Sequence, residues 1–91
     1  MGTLRMKLYI SGKTPKSNRA VASVKKICEE HYAGRYELAV IDILEDPEAA
    51  EREQIMATPM LIKESPSPSR RIVGDLTNKS KVLAAIVDEG G

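Results

Sequence analysis

Aromatic side chains are the scarcest feature of this chain, which has three Tyr and no Phe or Trp among its 91 residues. Proteins that bind single-stranded nucleic acid stack the bases on aromatic side chains, so this composition disfavours such a platform. The charge balance agrees, because 14 basic and 13 acidic residues leave a net charge of only +1. Binding to nucleic acid or to an anionic membrane surface requires a clear basic excess. We therefore expect neither nucleic acid nor a membrane as a partner.

Cysteine, histidine and long apolar runs are also scarce. The single Cys, Cys28, cannot form an internal disulfide, and its isolation fits a reducing cytoplasm, where we expect the protein to reside. No apolar run approaches the roughly 20 residues of a membrane-spanning helix, and residues 1–6 carry no apolar secretion signal. His31 has no Cys or His cluster around it, so we expect no metal and no cofactor.

The rest of the composition is typical of a small globular protein. Apolar residues make up 42% of the chain and charged residues 30%, which favours a folded chain over a disordered one. A chain of this length holds one small core. We expect one domain over residues 1–91.

The first half of the chain predicts a strand, a helix and a second strand. Met6–Ile10 alternates loosely, whereas Tyr36–Ile43 is mostly apolar, as expected for an inner strand with both faces buried. Thr14 and Pro15 are suited to the cap and the first position of the intervening helix. Its apolar residues recur at spacings of three and four: Ala20, Val21, Val24, Ile27 and Cys28. Ala33-Gly34 then ends the helix. Together these segments predict a right-handed βαβ unit.

The second half predicts a helix, a hairpin and a last helix. Asp46-Pro47-Glu48 starts a mostly polar helix that runs to about Met56. Pro59 is either a cis proline that opens a strand or a simple helix stop. The remaining segments are a strand at Met60–Lys63, a Pro-rich loop, a strand at Arg70–Gly74 and a helix with an apolar face of Val82, Leu83, Ile86 and Val87. The order βαβαββα, with a mixed four-stranded sheet and two helices on one face, is the thioredoxin-like arrangement.

The last helix is poorly matched to its own dipole. Lys79 and Lys81 lie in its first turns, and Asp88 and Glu89 lie at its end. Each misplaced charge costs at most about 0.3–1 kcal/mol, and Ala84-Ala85 favours the helix. Because Val82–Val87 is also aliphatic enough for a strand, its helical state depends on tertiary packing.

The residue pattern argues against the enzymatic alternatives. Thioredoxin-like enzymes need a thiol at the start of the first helix, where this chain has residues 11–17 and no Cys. Cys28 lies on the apolar stripe, as a buried small hydrophobe would. A phosphate loop around Gly12-Lys13-Thr14 would need Gly at the position of Lys7. A weaker anion site at that helix start, with Lys13 or Lys16, and a simple solvated capping loop both remain open.

Several segments resemble the KaiB family of circadian-clock proteins. They are Lys7–Ser17, Tyr36–Leu44 with Asp42, Ala57-Thr58-Pro59, Arg70–Asn78 and Lys81-Val82-Leu83. The run Arg71-Ile72-Val73-Gly74-Asp75-Leu76 is the most specific part. The resemblance covers nearly the whole chain without evident gaps.

This resemblance implies a non-enzymatic timing protein that binds the ring of a KaiC-type ATPase. In a full clock the same family sequesters KaiA and displaces the SasA kinase, which itself begins with a KaiB-like domain. The family is also metamorphic: a thioredoxin-like monomer binds KaiC, and an alternative state rebuilds the second half and forms a tetramer or dimer. Two packings within a few kcal/mol of each other suffice for such a switch. The competing interpretations are a thioredoxin-like redox enzyme and an adaptor in stress or two-component signalling without a daily rhythm.

The resemblance also implies roles for particular residues. Basic family positions, which are candidates for partner contact, are matched by Lys7, Arg19, Lys63, Arg70 and Arg71. Pro59 is the candidate pivot of the switch, and we expect its peptide bond to be cis in the thioredoxin-like state. Ala85 and Val87 stand where cyanobacterial members often have Gly and Asp. Since both favour the last helix, we expect this chain to populate the thioredoxin-like state more than those members do.

Overall fold

The computed structural model describes residues 3–86, which form seven elements in the predicted order βαβαββα. The elements are β1 (Leu4–Ile10), α1 (Pro15–Tyr32), β2 (Tyr36–Asp42), α2 (Pro47–Glu53), β3 (Met60–Ser65), β4 (Arg70–Val73) and α3 (Lys79–Ile86). The four strands form one mixed sheet in the order β2-β1-β3-β4. β1 and β2 are parallel, and β3 is antiparallel to both β1 and β4. The predicted βαβ unit and the predicted hairpin are confirmed.

The core lies on both faces of this sheet. On one face α1 and α3 cover a cluster that β1, β3 and β4 share, built around Leu8, Leu61 and Ile72. On the other face the short helix α2 covers a smaller cluster of Tyr9, Ala49, Met60 and Ile62. Two helices on one face and one on the other is the predicted layering.

β1 is the inner strand of the βαβ unit, and β2 is an edge strand. The prediction that Tyr36–Ile43 is buried on both faces is wrong. Among the strands of residues 3–86, β2 pairs with β1 alone, and Val40 is 40% exposed. The physical reason is that β3 pairs with the other side of β1. Apolar composition indicates that a strand packs, but the pairing of distant segments decides which strand becomes central.

Helix α1 has the start and the buried face that its sequence predicts. The Thr14 hydroxyl accepts a hydrogen bond from the Ser17 N–H at 3.1 Å, and Pro15 occupies the first turn. The buried residues are Ser17, Ala20, Val24, Ile27 and Cys28. Gly34 follows the helix with φ +75, a left-handed conformation that suits Gly. Local sequence signals therefore suffice to predict both ends of this helix.

Pro59 opens β3 and does not end α2. The helix ends at Glu53, because Gln54 adopts a left-handed conformation and its N–H is donated to the carbonyls of Ala50 and Glu51. The predicted end near Met56 is therefore too late. The Thr58–Pro59 peptide bond is cis, as expected, and β3 begins at the next residue.

Helix α3 is short, and its described part is held mainly by packing. Asn78 caps it, since its side-chain oxygen accepts from the Lys81 N–H at 3.1 Å. Val82 and Ile86 are buried in the α1–α3 cluster, and Leu83 packs against that cluster. The helical prediction is confirmed for Lys79–Ile86, while Val87, Asp88 and Glu89 lie outside the described residues.

Candidate partner-binding surfaces

The face of the sheet that carries α2 is only partly covered. Helix α2 has seven residues, and it lies over the part of the face around Tyr9 and Met60. Away from α2, the same face carries charged side chains of three strands. We call this group the open sheet face: Lys7, Glu64 and Arg71 on the strands, with Glu53 at the end of α2.

Strand register brings two of the predicted contact residues onto this face. Lys7 pairs with Ile62 across β1 and β3, and Ile62 pairs with Arg71 across β3 and β4. Two strand spacings of about 4.8 Å place the two cationic residues about 10 Å apart at their Cα atoms. Lys7 and Arg71, far apart in sequence, thus belong to one cross-strand row.

Each of these two cations has a carboxylate partner. Lys7 Nζ lies 3.2 Å from Glu64 Oε2, with the two side chains 36% and 39% exposed. Arg71 Nη2 lies 3.5 Å from Glu53 Oε1, and Arg71 Nη1 lies 3.8 Å from the Met60 sulfur. The hydrogen bond to Glu64 raises the pKa of Lys7. Exposed pairs of this kind contribute little stability, so a partner's carboxylates can replace them at low cost.

The structure separates the other three predicted contact residues from this pair. Arg70 is exposed on the edge strand β4, next to Lys63 in the register, and therefore alternates away from Arg71. Arg19 lies on α1, which packs on the opposite face. Lys63 is only 1% exposed, which argues against its direct contact with a partner in this conformation.

A second surface lies where α1 meets the turn after β4. Sequence analysis singled out Lys16, Arg19 and Pro59 separately, but it did not place them together. A cavity of about 360 Å³ is bordered there by Lys16 and Arg19 on α1, by Pro59, and by residues 74–77. We call it the loop-end cavity. Gly74 shapes its rim with φ +102, and Asp75 accepts hydrogen bonds from the Thr77 N–H at 2.9 Å and from the Thr77 hydroxyl. The contiguous run that ends in Gly74-Asp75-Leu76 was the available sequence signal.

The one Cys of the chain lies at neither of these two surfaces. Cys28 is fully buried, as predicted, and burial raises the pKa of its thiol to about 11. At neutral pH this thiol is therefore protonated and shielded. Within residues 3–86 there is no group of three or more His, Cys, Asp or Glu residues that could hold a metal ion. No helix in that range is long and apolar enough to cross a membrane.

Comparisons with known proteins agree with this fold. The solution structure of the N-terminal domain of SasA from Synechococcus elongatus matches with a TM-score of 0.78 and 26% identity, covering 100% of this chain and 90% of that domain. Mitochondrial thioredoxin 3 from Saccharomyces cerevisiae matches with a TM-score of 0.75 at 13% identity, covering 97% of this chain and 80% of that one. The thioredoxin match shows the fold alone, and the thioredoxin-like prediction is confirmed.

Proteins with similar sequences show which family within this fold the chain belongs to. The circadian clock protein KaiB3 of Synechocystis sp. is 45% identical over 92 residues, which cover 99% of this chain and 90% of the relative. The circadian clock oscillator protein KaiB of Microcystis aeruginosa is 48% identical over 84 residues, covering 92% and 81%. A family model described as the KaiB domain matches residues 7–86. With this match over most of its length, the chain belongs to the KaiB family.

Proposed function

We propose that this protein is a non-enzymatic timing regulator that binds the ring of a KaiC-type ATPase through its thioredoxin-like state. The observation that carries the proposal is the KaiB-domain match over residues 7–86, joined to a sheet face with exposed cations. Relatives at 45% and 48% identity are circadian clock proteins by name. We also propose that the protein acts in the cytoplasm and that KaiA and a SasA-like kinase are further partners.

The open sheet face is the proposed contact surface for the ring. Lys7 and Arg71 lie in one cross-strand row, and their carboxylate partners are exposed enough to be exchanged. Arg side chains are favoured at protein interfaces, because the planar guanidinium binds carboxylates through two hydrogen bonds. Arg70 alternates to the opposite face of β4 and is therefore not part of this surface. The buried Lys63 contributes to the core in this conformation instead.

The same proposal includes a switch of the second half to an alternative, tetrameric or dimeric packing. Pro59 stands at the entry to β3, where the chain would diverge, and Ala85 and Val87 set the helical preference of the last segment. The small buried face of α3 supports the idea, since few contacts must be exchanged. Solution NMR with sedimentation tests it: strand-type chemical shifts at residues 82–86 together with a tetramer would identify the alternative state, and a concentration-independent monomer would argue against it.

Arg71→Ala tests the contact surface directly. We expect affinity for a purified KaiC-type ring to fall about tenfold, the typical loss for an interface Arg. Folding should persist, because the bond to Glu53 is long and half exposed. Arg35→Ala is a matched control, since Arg35 is exposed beyond α1 and contacts Tyr32 and His31 only locally. Surface plasmon resonance measures both variants. Equal affinity of wild type and Arg71→Ala would remove Arg71 from the interface.

A further inference from the structure

A further groove lies between α1 and the edge strand β2. Its volume is about 400 Å³, which is within the range of small-molecule sites. We call it the α1–β2 groove, and its apolar lining consists of Ile10, Val21, Ala22 and Val40. Every residue that borders it lies between residues 10 and 40, so the groove belongs to the βαβ unit and not to the second half of the chain.

The apolar lining is left uncovered by the packing of α1 on the sheet. Leu38 packs against the cluster under α1, whereas Ile41 packs against the cluster under α2. Strand alternation therefore places Val40 on the α1 face with Leu38. Val40 is nevertheless 40% exposed, because α1 presents to this groove the half-buried Val21 and the short side chain of Ala22. An apolar ligand group could cover this surface with a gain in free energy.

Polar side chains border the groove along α1. Asn18 and Lys25 lie on the same stripe of the helix as Val21 and Ala22, at spacings of three, four and seven residues. The stripe from Asn18 to Lys25 is about 10.5 Å long. Lys13 borders the groove from the loop that precedes α1. Cationic groups therefore lie towards both ends of the apolar lining.

The protein does not neutralise these two cations itself. Within residues 3–86 the side chains of Lys13 and Lys25 form no hydrogen bond or ion pair. Glu29, one turn beyond Lys25, instead accepts a hydrogen bond from the Tyr36 hydroxyl at 2.6 Å. Asp42, at the end of β2, accepts two backbone N–H groups at 2.9 and 3.0 Å. The groove is consequently apolar in its lining and positive at its rim, which is complementary to an amphipathic anion.

We propose that the α1–β2 groove binds a medium-chain fatty acid, whose tail packs on Val21, Ala22 and Val40. The ammonium groups of Lys13 and Lys25 supply the charge that attracts the carboxylate, and an ammonium group donates charge-assisted hydrogen bonds to such an acceptor. An inorganic anion would leave the apolar lining unused. Among the described residues that border the groove there is no aromatic side chain on which a nucleotide base could stack. The lining therefore favours an aliphatic carboxylate.

This site goes beyond the ring-binding proposal and does not depend on it. The groove lies on the α1 face of the sheet, whereas the open sheet face lies on the side of α2. A test with a free fatty acid needs no ATPase ring and no change in the second half of the chain. Failure of either proposal therefore leaves the other standing.

The test is a titration of the full ¹⁵N-labelled chain with sodium octanoate, followed by NMR. We expect amide shifts at Val21, Ala22, Lys25 and Val40. Ala22→Leu should weaken binding by about tenfold or more, because the larger side chain fills the groove, and α1 should persist because Leu is a good helix former. The double variant K13Q/K25Q should also weaken binding by about tenfold, because the charge that attracts the carboxylate is lost.

Matched controls define the outcome. Ala84→Leu adds the same bulk at an exposed position of α3, and K16Q/K26Q removes the same charge at exposed positions of α1. Both should bind octanoate almost as wild type does. Octan-1-ol, which lacks the charge, and acetate, which lacks the tail, should each bind much more weakly. No binding at millimolar octanoate, shifts confined to other residues, equal binding of octan-1-ol or acetate, or equal losses in test and control variants would overturn the proposal.

Discussion

Helices α1 and α3 lie side by side on the same face of the sheet but are stabilised in different ways. Helix α1 has 18 residues, a side-chain cap and five buried residues. The described part of α3 has eight residues, two of them buried, and no acidic residue in its first turn. Isolated helices shorter than about 12–15 residues are marginal in water. Local sequence therefore specifies α1, whereas α3 depends on its packing against α1 and the sheet.

The largest expected effect comes from truncating one buried valine in each helix. Val24 and Val82 are both fully buried in the same cluster. Val24→Ala and Val82→Ala each remove the same atoms, and each should cost about 2–3 kcal/mol. Val24→Ala should speed hydrogen exchange throughout α1 and β1 together, through global unfolding. Val82→Ala should speed exchange first in α3, through local opening.

Native-state hydrogen exchange measured by NMR separates these two patterns, and urea unfolding gives the two free energies. If α3 amides in Val82→Ala remain as protected as α1 amides, the two helices are one cooperative unit and the contrast between them fails.

A helix-propensity change should give the next largest effect. Ala85→Gly should destabilise the thioredoxin-like state by about 1 kcal/mol. Ala22→Gly is the control on α1, since Ala22 is an exposed helical alanine and loses the same propensity. We expect Ala85→Gly alone to increase any alternative, associated state, because the second half is the part that would rearrange. Sedimentation velocity with NMR shift assignment measures this. Equal association of the two Gly variants would show that α3 has no special role.

The smallest expected effect concerns the ion pair that joins the two helices. Lys79 Nζ on α3 lies 2.8 Å from Glu30 Oε1 on α1. This bond lowers the pKa of Glu30 below its ordinary value of 4.5. A lowered carboxyl pKa stabilises the folded state above pH 4.5, and that contribution is lost as pH falls through the folded pKa. Glu30→Gln should therefore be slightly less stable than wild type at pH 7, with the difference vanishing in acid.

Urea unfolding at pH 7 and pH 3 measures this difference. Glu51→Gln, which removes an exposed carboxylate on α2 and leaves the Glu30–Lys79 pair intact, is the control variant. A Glu30→Gln difference that persists unchanged in acid would mean that the carboxylate does not act through its charge.

Local signals along the chain were enough to predict the order of the elements, both ends of α1 and the family. Thr14, Pro15 and Gly34 act on backbone within a few residues of themselves, so their effects can be predicted without knowledge of the fold. The same is true of Cys28, whose place on the apolar stripe predicts its burial.

Contacts between distant segments set which strand is central and which basic residues share a surface. The pairing of β3 with β1 places β2 at the edge. Strand register joins Lys7 to Arg71, while packing buries Lys63 and places Arg19 beside Gly74 and Leu76. No local pattern encodes these results, because each depends on residues that are far apart in the chain and meet only when it folds.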